Sequence, residues 1–360
     1  MWALEHPMSL VVGVIGSGYI SRFHFEGFAQ AKVRVAIIAD VERRLAEPYV
    51  QRFQAAYTAD WQAVVQHPEV QVVCVFTPSG MHYEQTKAAL EAGKHVICEK
   101  TLTLTPAQSL ELGRLAESRG LCLYTSYMKR FFPAARQAAA LIPRLGKLTS
   151  VYCRTFQPVG HDFHTQPAIG GFALGADGQS SLKRKYGGGV LVCGGSHIFD
   201  LLVYLAGKPT TIYGRRFQRP ETDVDVNFHC LLDLPAGGVV HFEANWHPLN
   251  RVGFEGRGWD EGFEISGTAG RLILETPVWD FPDRNAARLR HYDNATGHWT
   301  DYRFDAVNAF AEAEKHFLTQ IEAGQQGPQD PYTGYRVDYL LAMAARSADL
   351  NQPLPLTFEA

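Results

Sequence analysis

The sequence predicts two domains: a doubly wound α/β domain with a parallel sheet, then an α+β domain with a large open, mainly antiparallel sheet. Three observations support this. The first third of the chain alternates short apolar runs with helical patterns, and the apolar period drops to two beyond residue 205. The length of 360 residues also exceeds one ordinary core of roughly 150 residues. We expect domains at residues 1–128 and 129–360.

The composition is that of a packed globular chain, with 46% hydrophobic and 20% charged residues. Lys and Arg total 34 against 37 Asp and Glu, a formal net charge of −3. This balance argues against nucleic acid or an anionic membrane as a partner. No apolar run reaches the roughly 18 residues of a membrane span, and no signal peptide is recognised. Scattered cysteines without a CxxC pair favour reduced thiols in a cytoplasmic protein.

The apolar runs of the first 125 residues are mostly continuous, which is typical of parallel strands covered on both faces. Helical patterns connect them, so right-handed βαβ units are expected. The predicted strands cover residues 10–15, 33–39, 70–76, 95–98 and 121–124. The predicted helices cover residues 19–30, 59–65, 83–92 and 106–119.

The second half of the chain predicts a sheet with one buried face. A strand is expected over 148–156 and a helix from the glycine run at 187–189 to residue 205. Residues 226–234 and 240–246 alternate in polarity, and 235–238 and 267–270 have the composition of hairpin loops. Large side chains such as Trp246 or His241 are expected on the open face. Such a face often pairs with a copy of itself, so we expect a homo-oligomer built through this sheet.

A glycine-rich turn closes the first predicted strand and opens the first predicted helix. Gly16 permits the tight turn, and Gly18 lets a pyrophosphate approach the helix N-terminus, where N–H groups and the dipole favour anions. Ser21 stands at the third glycine position, which requires only a small residue. The turn residues expected to hold a dinucleotide are Gly16, Ser17, Gly18, Tyr19 and Ile20.

Asp40 ends the second predicted strand, where a carboxylate would accept hydrogen bonds from the adenosine ribose hydroxyls. A 2′-phosphate would meet like charge there, so NAD is favoured over NADP. Arg43 and Arg44 nearby weaken this preference. The alternative for the whole motif is a glycine turn that binds no ligand.

Further motifs follow in order along the chain: TPSGMH at 77–82, AGKHVICEKT at 92–101, YMKRF at 127–131, GGGVLVCGGSHIFD at 187–200 and ISGTAG at 265–270. With the glycine turn, they make the chain resemble the glucose–fructose oxidoreductase/inositol dehydrogenase/MocA (Gfo/Idh/MocA) family over nearly its whole length. The resemblance implies an NAD(P)-binding Rossmann domain and a substrate domain that assembles into dimers or tetramers. That family includes dehydrogenases for cyclitols, aldoses and their derivatives, together with some hydrolases and regulators.

The resemblance also implies cofactor contacts after the third and fourth strands. The family's hallmark is a Glu-Lys-Pro triplet, in which Thr101 replaces the proline here. Cys193 likewise stands where the family carries an acid that binds a substrate hydroxyl and tunes the histidine. The additional cofactor-binding residues implied are Thr77, Pro78, Ser79, His82, Glu99 and Lys100.

Two residues are predicted to carry the chemistry of an alcohol dehydrogenation. Lys100 follows a strand at the carboxyl edge of the sheet, where its ammonium can stabilise a developing oxyanion. His197 is predicted to accept the hydroxyl proton. Gly194 and Gly195 cost its helix about 1 kcal/mol each, which we interpret as close approach by cofactor or substrate. Asp200 either orients the His197 imidazole or is a buried or capping carboxylate.

The remaining candidates bear on substrate binding. Cys193 is either a small apolar filler or a thiol in contact with substrate, and the filler is favoured because an unactivated thiol stays protonated. His161 and His164 lack a third ligand with suitable spacing, so we expect a polar substrate loop and no metal. Tyr127 and Arg130 are candidates for the cleft floor, although packing roles fit them equally well.

The leading hypothesis is an NAD-dependent oxidoreductase acting on a secondary alcohol or ketone of a sugar or cyclitol. One alternative is an NAD-retaining glycoside hydrolase of the same family. Another is a dinucleotide-sensing regulator without turnover, which the loss of the helix acid at Cys193 keeps open. The presence of Lys100 and His197 favours an enzyme.

Overall fold

The computed structural model describes residues 8–158, 188–218, 224–281 and 284–360. Contacts divide the chain into two compact units. The first unit comprises the residues up to Tyr127 together with Phe310–Asp338 and Ala360, and the second comprises Met128–Ala309 and Tyr339–Glu359. The predicted domain boundary, between residues 128 and 129, stays a prediction. It did not foresee that Phe310–Asp338 would pack with the first unit.

The first unit is built on a six-stranded sheet in which all neighbouring strands are parallel. The strand order is β3-β2-β1-β4-β5-β6, which is the order of a doubly wound Rossmann sheet and confirms the predicted fold class. The order in which successive strands are added to the sheet reverses between β1 and β4, although all of the strands run in the same direction. The strands are β1 (Val11–Ile15), β2 (Arg34–Ala39), β3 (Ala56–Thr58), β4 (Val72–Val75), β5 (His95–Cys98) and β6 (Leu123–Thr125).

Helices connect these strands, as the sequence predicted, with one addition. They are α1 (Ser21–Ala31), α2 (Arg43–Phe53), α3 (Trp61–Gln66), α4 (Ser79–Glu91) and α5 (Pro106–Ser118). The sequence did not predict α2 or β3. Helix α2 has an apolar row at helical spacing, residues 45, 46, 49, 50 and 53, but only Ala46 is fully buried, and Pro48 inside the run disfavours a helix when the sequence is read alone. The later helix α8 (Ala309–Glu322) supplies Phe317, whose ring stacks on Tyr124 of β6 at 4.4 Å between centroids.

The second unit is built on a nine-stranded sheet in the order β14-β13-β12-β11-β7-β10-β9-β8-β15. Strands β10 and β7 are parallel, and the other neighbouring pairs are antiparallel, which confirms the expected mainly antiparallel sheet. Its strands are β7 (Leu148–Gln157), β8 (Thr211–Gln218), β9 (Asp225–Asp233), β10 (Val239–Trp246), β11 (Asp260–Gly267), β12 (Gly270–Glu275), β13 (Arg288–Asp293), β14 (His298–Tyr302) and β15 (Leu354–Pro355).

Helices cover one face of this sheet. They are α6 (Pro133–Leu141), α7 (Ser196–Ala206), preceded by a π-helical turn at Leu191–Gly195, and the later part of α9 (Thr333–Leu350). Two short 3₁₀ segments, Met128–Phe131 and Ile142–Leu145, flank α6. The ring of Phe199 in α7 stacks on Phe242 of β10, with centroids 4.4 Å apart. None of the described helices is both long and apolar enough to cross a bilayer.

Both predicted hairpins are present, joining β9 to β10 and β11 to β12. The opposite face of the sheet is open, with a shallow concavity of about 450 Å³ that includes Tyr213, Leu231 and His241. The placement of Trp246 on this face was wrong. Its side chain is buried, and its indole N–H donates to Gln157 at 2.8 Å, because Trp246 continues the inward-facing row of β10.

Candidate active site

The glycine turn after β1 has the geometry that a dinucleotide requires. Gly16 has a φ of 93°, and a Cβ there would lie 2.8 Å from the carbonyl carbon of Phe76, so both its conformation and its surroundings demand glycine. A Cβ at Gly18 would meet no atom within 4 Å. Neighbouring protein atoms therefore leave no room for a side chain at Gly16. They leave space at Gly18, where the sequence predicted that the pyrophosphate approaches the backbone.

Helix α1 follows this turn with its N-terminus uncapped. Ile20 occupies the N-cap and provides no side-chain hydrogen bond. Ser21 at the third glycine position is fully buried, and its hydroxyl donates to the carbonyl of Gly18 at 2.7 Å. A small side chain therefore fits this position and stabilises the turn. The backbone N–H groups of Ser21 and Phe23 donate to the carbonyls of Gly18 and Ile20, so the attraction of this helix end for an anion comes mainly from its dipole.

The Asp40 carboxylate at the end of β2 is fixed by the glycine turn. One oxygen accepts hydrogen bonds from the backbone N–H and the hydroxyl of Ser17, each at 2.7 Å, and the other accepts from the backbone N–H of Glu42 at 2.9 Å. A carboxylate has lone pairs left for further donors. Ser17 thus acts through Asp40, holding a negative charge at the edge of the cleft.

The two arginines that weakened the cofactor preference are engaged elsewhere. The Nε of Arg43 lies 3.1 Å from Glu47, and that of Arg44 lies 3.2 Å from Glu42. The Arg43 guanidinium also lies 4.9 Å from the ring centroid of Tyr57. Both ion pairs are exposed and therefore weak.

A cleft of about 180 Å³ lies where these elements meet, at the carboxyl ends of β1, β2 and β4. Ligands bind at this switch point in doubly wound sheets. Of the predicted cofactor residues, the cleft is lined by Gly16, Gly18, Asp40, Thr77 and Pro78. The sequence analysis missed its apolar walls, Val41, Trp61 and Met81, because single exposed apolar side chains carry no sequence signal. The predicted residues that do not line it are Ser17, Tyr19, Ile20, Ser79, His82, Glu99 and Lys100.

His82 contacts backbone rather than the cleft. It is fully buried, and its Nδ1 and Nε2 lie 2.7 and 2.6 Å from the carbonyl oxygens of Thr101 and Thr77. A neutral ring donates to one of these carbonyls and a protonated ring to both. His82 therefore links the turn after β4 to the segment after β5. Ser79 contributes to the same link, since its hydroxyl lies 3.4 Å from the carbonyl oxygen of Lys100.

Lys100 follows β5 at the carboxyl edge of the sheet and is half-buried. Its peptide bond to Thr101 is cis. Its backbone N–H donates to the carboxylate of the preceding residue, Glu99, at 3.0 Å. Three residues downstream of Lys100, the backbone N–H of Thr103 donates to Asp338 of α9 at 3.0 Å, and burial raises the pKa of Asp338 to about 7.

An acid–imidazole–acid cluster that the sequence analysis did not predict adjoins Lys100. His24 of α1 is fully buried, with Nε2 at 3.0 Å from Glu99 and Nδ1 at 2.5 Å from Glu314 of α8. Burial alone would lower the pKa of His24, but hydrogen bonds to the two carboxylates outweigh it and raise the value to about 9. Burial raises the pKa of Glu314, whereas for Glu99 the His24 contact overcomes burial and lowers it.

His197 and Cys193 lie in the second unit, near the start of the helix that was predicted to carry them. His197 lies in α7 with 9% of its surface exposed, and Cys193 is half-buried in the π-helical turn. The turn is fixed by Asp225, which accepts a hydrogen bond from the backbone N–H of Leu191 at 2.8 Å. Lys100 and His197 therefore belong to different units, and hydrogen bonds within each unit hold the segment that carries each residue.

The interpretation of Gly194 and Gly195 as points of ligand approach was wrong. A Cβ at Gly195 would lie 2.9 Å from the Phe242 ring, and one at Gly194 would collide with the side chain of Gln157 and approach Thr155. The helix therefore needs both glycines to pack against the sheet of its own unit.

Asp200 and Arg130 form a buried pair. The guanidinium of Arg130 donates to both carboxylate oxygens of Asp200, at 2.7 and 2.6 Å, and lies 5.0 Å from the Tyr204 ring centroid. Asp200 is thus a buried carboxylate, which was one of its predicted roles. Its pairing with Arg130 fixes the 3₁₀ segment Met128–Phe131 against α7. Tyr127 is fully buried in the first unit.

The loop candidates His161 and His164 lie outside the described residues. Within the described ranges, no group of three His, Cys, Asp or Glu side chains is placed to hold a metal ion.

Two glycine substitutions should separate ligand binding from packing. Gly18→Ala should weaken NAD binding by at least about tenfold, because the methyl group enters open space that the pyrophosphate would use, and should leave thermal unfolding unchanged. Gly195→Ala should lower unfolding stability by about 1–3 kcal/mol through overpacking against Phe242, without changing NAD affinity. Fluorescence titration and thermal melts give both values. A reversed pattern would contradict both assignments.

Family models match both units. Residues 10–127 match the oxidoreductase family with an NAD-binding Rossmann fold, and residues 136–273 match the GFO/IDH/MocA C-terminal domain. An uncharacterised oxidoreductase of Synechocystis is 30% identical over 287 residues, covering 74% of this chain and 71% of that protein. The scyllo-inositol 2-dehydrogenase (NADP⁺) of Bacillus subtilis is 26% identical over 273 residues, covering 73% and 70%.

Solved structures share the fold over nearly the whole chain. A levoglucosan dehydrogenase in complex with NADH and levoglucosan superposes with a TM-score of 0.81 at 21% identity, covering 97% of this chain and 100% of that one. The two family models confirm the family resemblance inferred from the sequence motifs. This chain belongs to the GFO/IDH/MocA family of oxidoreductases and carries its NAD-binding Rossmann fold.

Proposed function

We propose that the protein is an NAD-dependent oxidoreductase that transfers hydride between the nicotinamide and a secondary alcohol or ketone of a sugar or cyclitol. The observation that carries the proposal is the set of residues at the carboxyl edge of the parallel sheet. There an open glycine turn and a fixed carboxylate fit a dinucleotide, and Lys100 follows a neighbouring strand. Relatives named as scyllo-inositol and levoglucosan dehydrogenases support the substrate class.

Of the predicted cofactor residues, those that line the cleft support binding of the cofactor there. Gly18 leaves room for the pyrophosphate, the uncapped N-terminus of α1 favours its charge, and Asp40 accepts the ribose hydroxyls. Tyr19, Ile20, Thr77, Pro78 and Ser79 remain proposals for direct contacts. His82 and Glu99 are buried, so any contribution they make to cofactor binding is indirect, through the segments that follow β4 and β5. When bound, the nicotinamide supplies the hydride acceptor for the substrate carbon.

Two side chains of this chain then handle the substrate oxygen and its proton. The Lys100 ammonium donates a hydrogen bond to the hydroxyl oxygen and stabilises it as it becomes a carbonyl. His197 accepts the hydroxyl proton, so that one hydride and one proton leave the alcohol. Cys193 contributes volume and no proton transfer. Tyr127, Arg130 and His161 remain proposals for substrate contacts, and the pairing of Arg130 with Asp200 favours an indirect role for it.

We further propose a cytoplasmic setting. The six cysteines, all within the described residues, are free thiols, and five of them are buried. The relatives named above are an oxidoreductase and dehydrogenases, which favours turnover over the hydrolase and regulator alternatives.

Turnover is the primary test. Purified protein with NAD should reduce the cofactor in the presence of at least one member of a panel that includes scyllo-inositol, levoglucosan and common aldoses. No absorbance change at 340 nm with any member, in either direction of the reaction, would reject the function.

Cofactor preference should follow Asp40. One relative carries NADP⁺ in its name, so the preference must come from this chain's own residues. NAD should bind at least about tenfold more tightly than NADP, which requires only about 1.4 kcal/mol of repulsion between Asp40 and a 2′-phosphate. Asp40→Ser should narrow the gap, and Arg43→Ala should leave it unchanged because Arg43 does not line the cleft. Equal affinities in the parent protein would contradict the argument.

Lys100→Met and His197→Ala should each lower kcat by at least about 10²-fold while NAD affinity stays within a few-fold. Their losses should be less than additive, because both residues serve one transition state. Cys193→Ala is the control and should be mild. Near-full activity of His197→Ala would assign the proton to Lys100 or to a tyrosine such as Tyr127.

The open face of the nine-stranded sheet should assemble copies of the chain into a dimer or tetramer. Leu231 and Phe217 expose 45% and 59% of their surface on this face. Leu231→Glu should shift the sedimentation of the protein at micromolar concentration to the monomer. Leu350→Glu, an equally exposed position at the end of α9, is the control. A monomeric parent protein would contradict the proposal.

A further inference from the structure

The Lys100 segment is held by buried side chains at alternate residues. Glu99 contacts His24, the carbonyl of Thr101 lies within hydrogen-bond distance of His82, and the backbone N–H of Thr103 donates to Asp338. These contacts come from three different helices, α1, α4 and α9. The backbone on both sides of Lys100 is therefore fixed from within the first unit, before any ligand binds.

His24 occupies the upstream end of this arrangement in a fixed orientation. Its ring stacks on Phe76, with centroids 3.9 Å apart and planes at 21°, and Phe310 contacts it edge-on at 5.1 Å. Helix α8, which carries Glu314, packs so closely on α1 that a Cβ at Gly27 would lie 2.8 Å from the Glu314 Cβ. The imidazole cannot rotate without losing both carboxylates and the ring stack.

The cluster is a poor device for stability alone. Burying two carboxylates and an imidazole costs desolvation that their attraction only partly returns, and apolar residues of similar volume often serve stability as well. The charged hydrogen bonds instead fix the relative positions of the side chains, because each bond sets a defined geometry between two atoms. One of those atoms belongs to Glu99, whose other oxygen accepts the backbone N–H of Lys100 at 3.0 Å.

We propose that His24 is a positioning residue for Lys100: its Nε2 fixes the Glu99 carboxylate, which in turn fixes the Lys100 backbone and the place of its ammonium. The proposal rests on the proposed function for its effect on turnover, whereas its effect on the backbone can be measured without turnover. Glu314 is the anchor of the arrangement, because it fixes the ring through Nδ1.

Two substitutions of the same residue isolate the bond to Glu99. The amide nitrogen of glutamine stands the same number of bonds from Cα as Nε2, and that of asparagine the same number as Nδ1. His24→Gln can therefore keep the contact to Glu99, and His24→Asn only the contact to Glu314. Both variants remove the imidazole and its charge. Asparagine also costs volume and helix propensity, so the free energy of unfolding of each variant is measured beside its activity, and a role in stability alone predicts that kcat falls only with that free energy.

His24→Asn should lower kcat by at least about tenfold, since small displacements of a catalytic group are costly. KM and NAD affinity should stay within a few-fold, and His24→Gln should recover most of the loss. The control is His95→Gln, which removes the acceptor of the Cys122 N–H at the opposite end of β5 and should leave kcat intact. The assay uses NAD with scyllo-inositol or levoglucosan, whichever is turned over.

Hydrogen–deuterium exchange of the peptide covering residues 99–103 provides the second readout. In the unaltered protein the Lys100 amide should be protected, and His24→Asn should increase its exchange about tenfold or more, with no such increase in His24→Gln or His95→Gln. Equal losses in both His24 variants, or no loss in either, would overturn the proposal. If neither variant folds, an unprotected Lys100 amide in the unaltered protein would overturn it and a protected one would support it.

If the unaltered protein turns over nothing in the panel, the proposed function fails. The exchange pattern then decides the positioning role by itself.

Discussion

The parallel pairing of β1, β2, β4 and β5 is the constraint on which the rest of the site depends. Parallel strands deliver their carboxyl ends to one edge of a sheet, whatever the sequence distance between them. The glycine turn, the Asp40 carboxylate, the turn after β4 and Lys100 are each placed by the strand that precedes them. The helices could vary in length without moving this edge, provided that the strand register and the contacts of His24, His82 and Asp338 with the Lys100 segment are kept.

Much of this could be predicted from the sequence because strand-forming runs and turn residues are local signals. The continuous apolar runs predicted five of the six parallel strands, and the glycines of the first turn have the conformation and surroundings that were inferred. Helix α2 and β3 escaped prediction for a physical reason. The helix has an apolar row at helical spacing, but Pro48 interrupts the run and disfavours a helix when the sequence is read alone, and the strand is three residues long, too short to show a period.

Contacts between distant parts of the chain could not be predicted in this way. The ring of His24 and the carboxylate of Glu314 are 290 positions apart, and nothing in the local pattern of either helix marks them as partners. Gly194 and Gly195 show the opposite difficulty. The sequence identified them correctly as positions of close approach, but it contained no information on which atoms approach. The structure shows that those atoms belong to β7 and β10 of the same unit.

The return of Phe310–Asp338 to the first unit has a consequence for biosynthesis. The N-terminal 127 residues leave the ribosome long before α8 exists, so during synthesis the Rossmann sheet lacks the ring that stacks on Tyr124 and the carboxylate that meets His24. An early first unit therefore has an incomplete core and an imidazole that lacks one of its two carboxylates. It can be completed only after eight of the nine strands of the second sheet, β7 to β14, have been made, which ties the maturation of both halves to late translation.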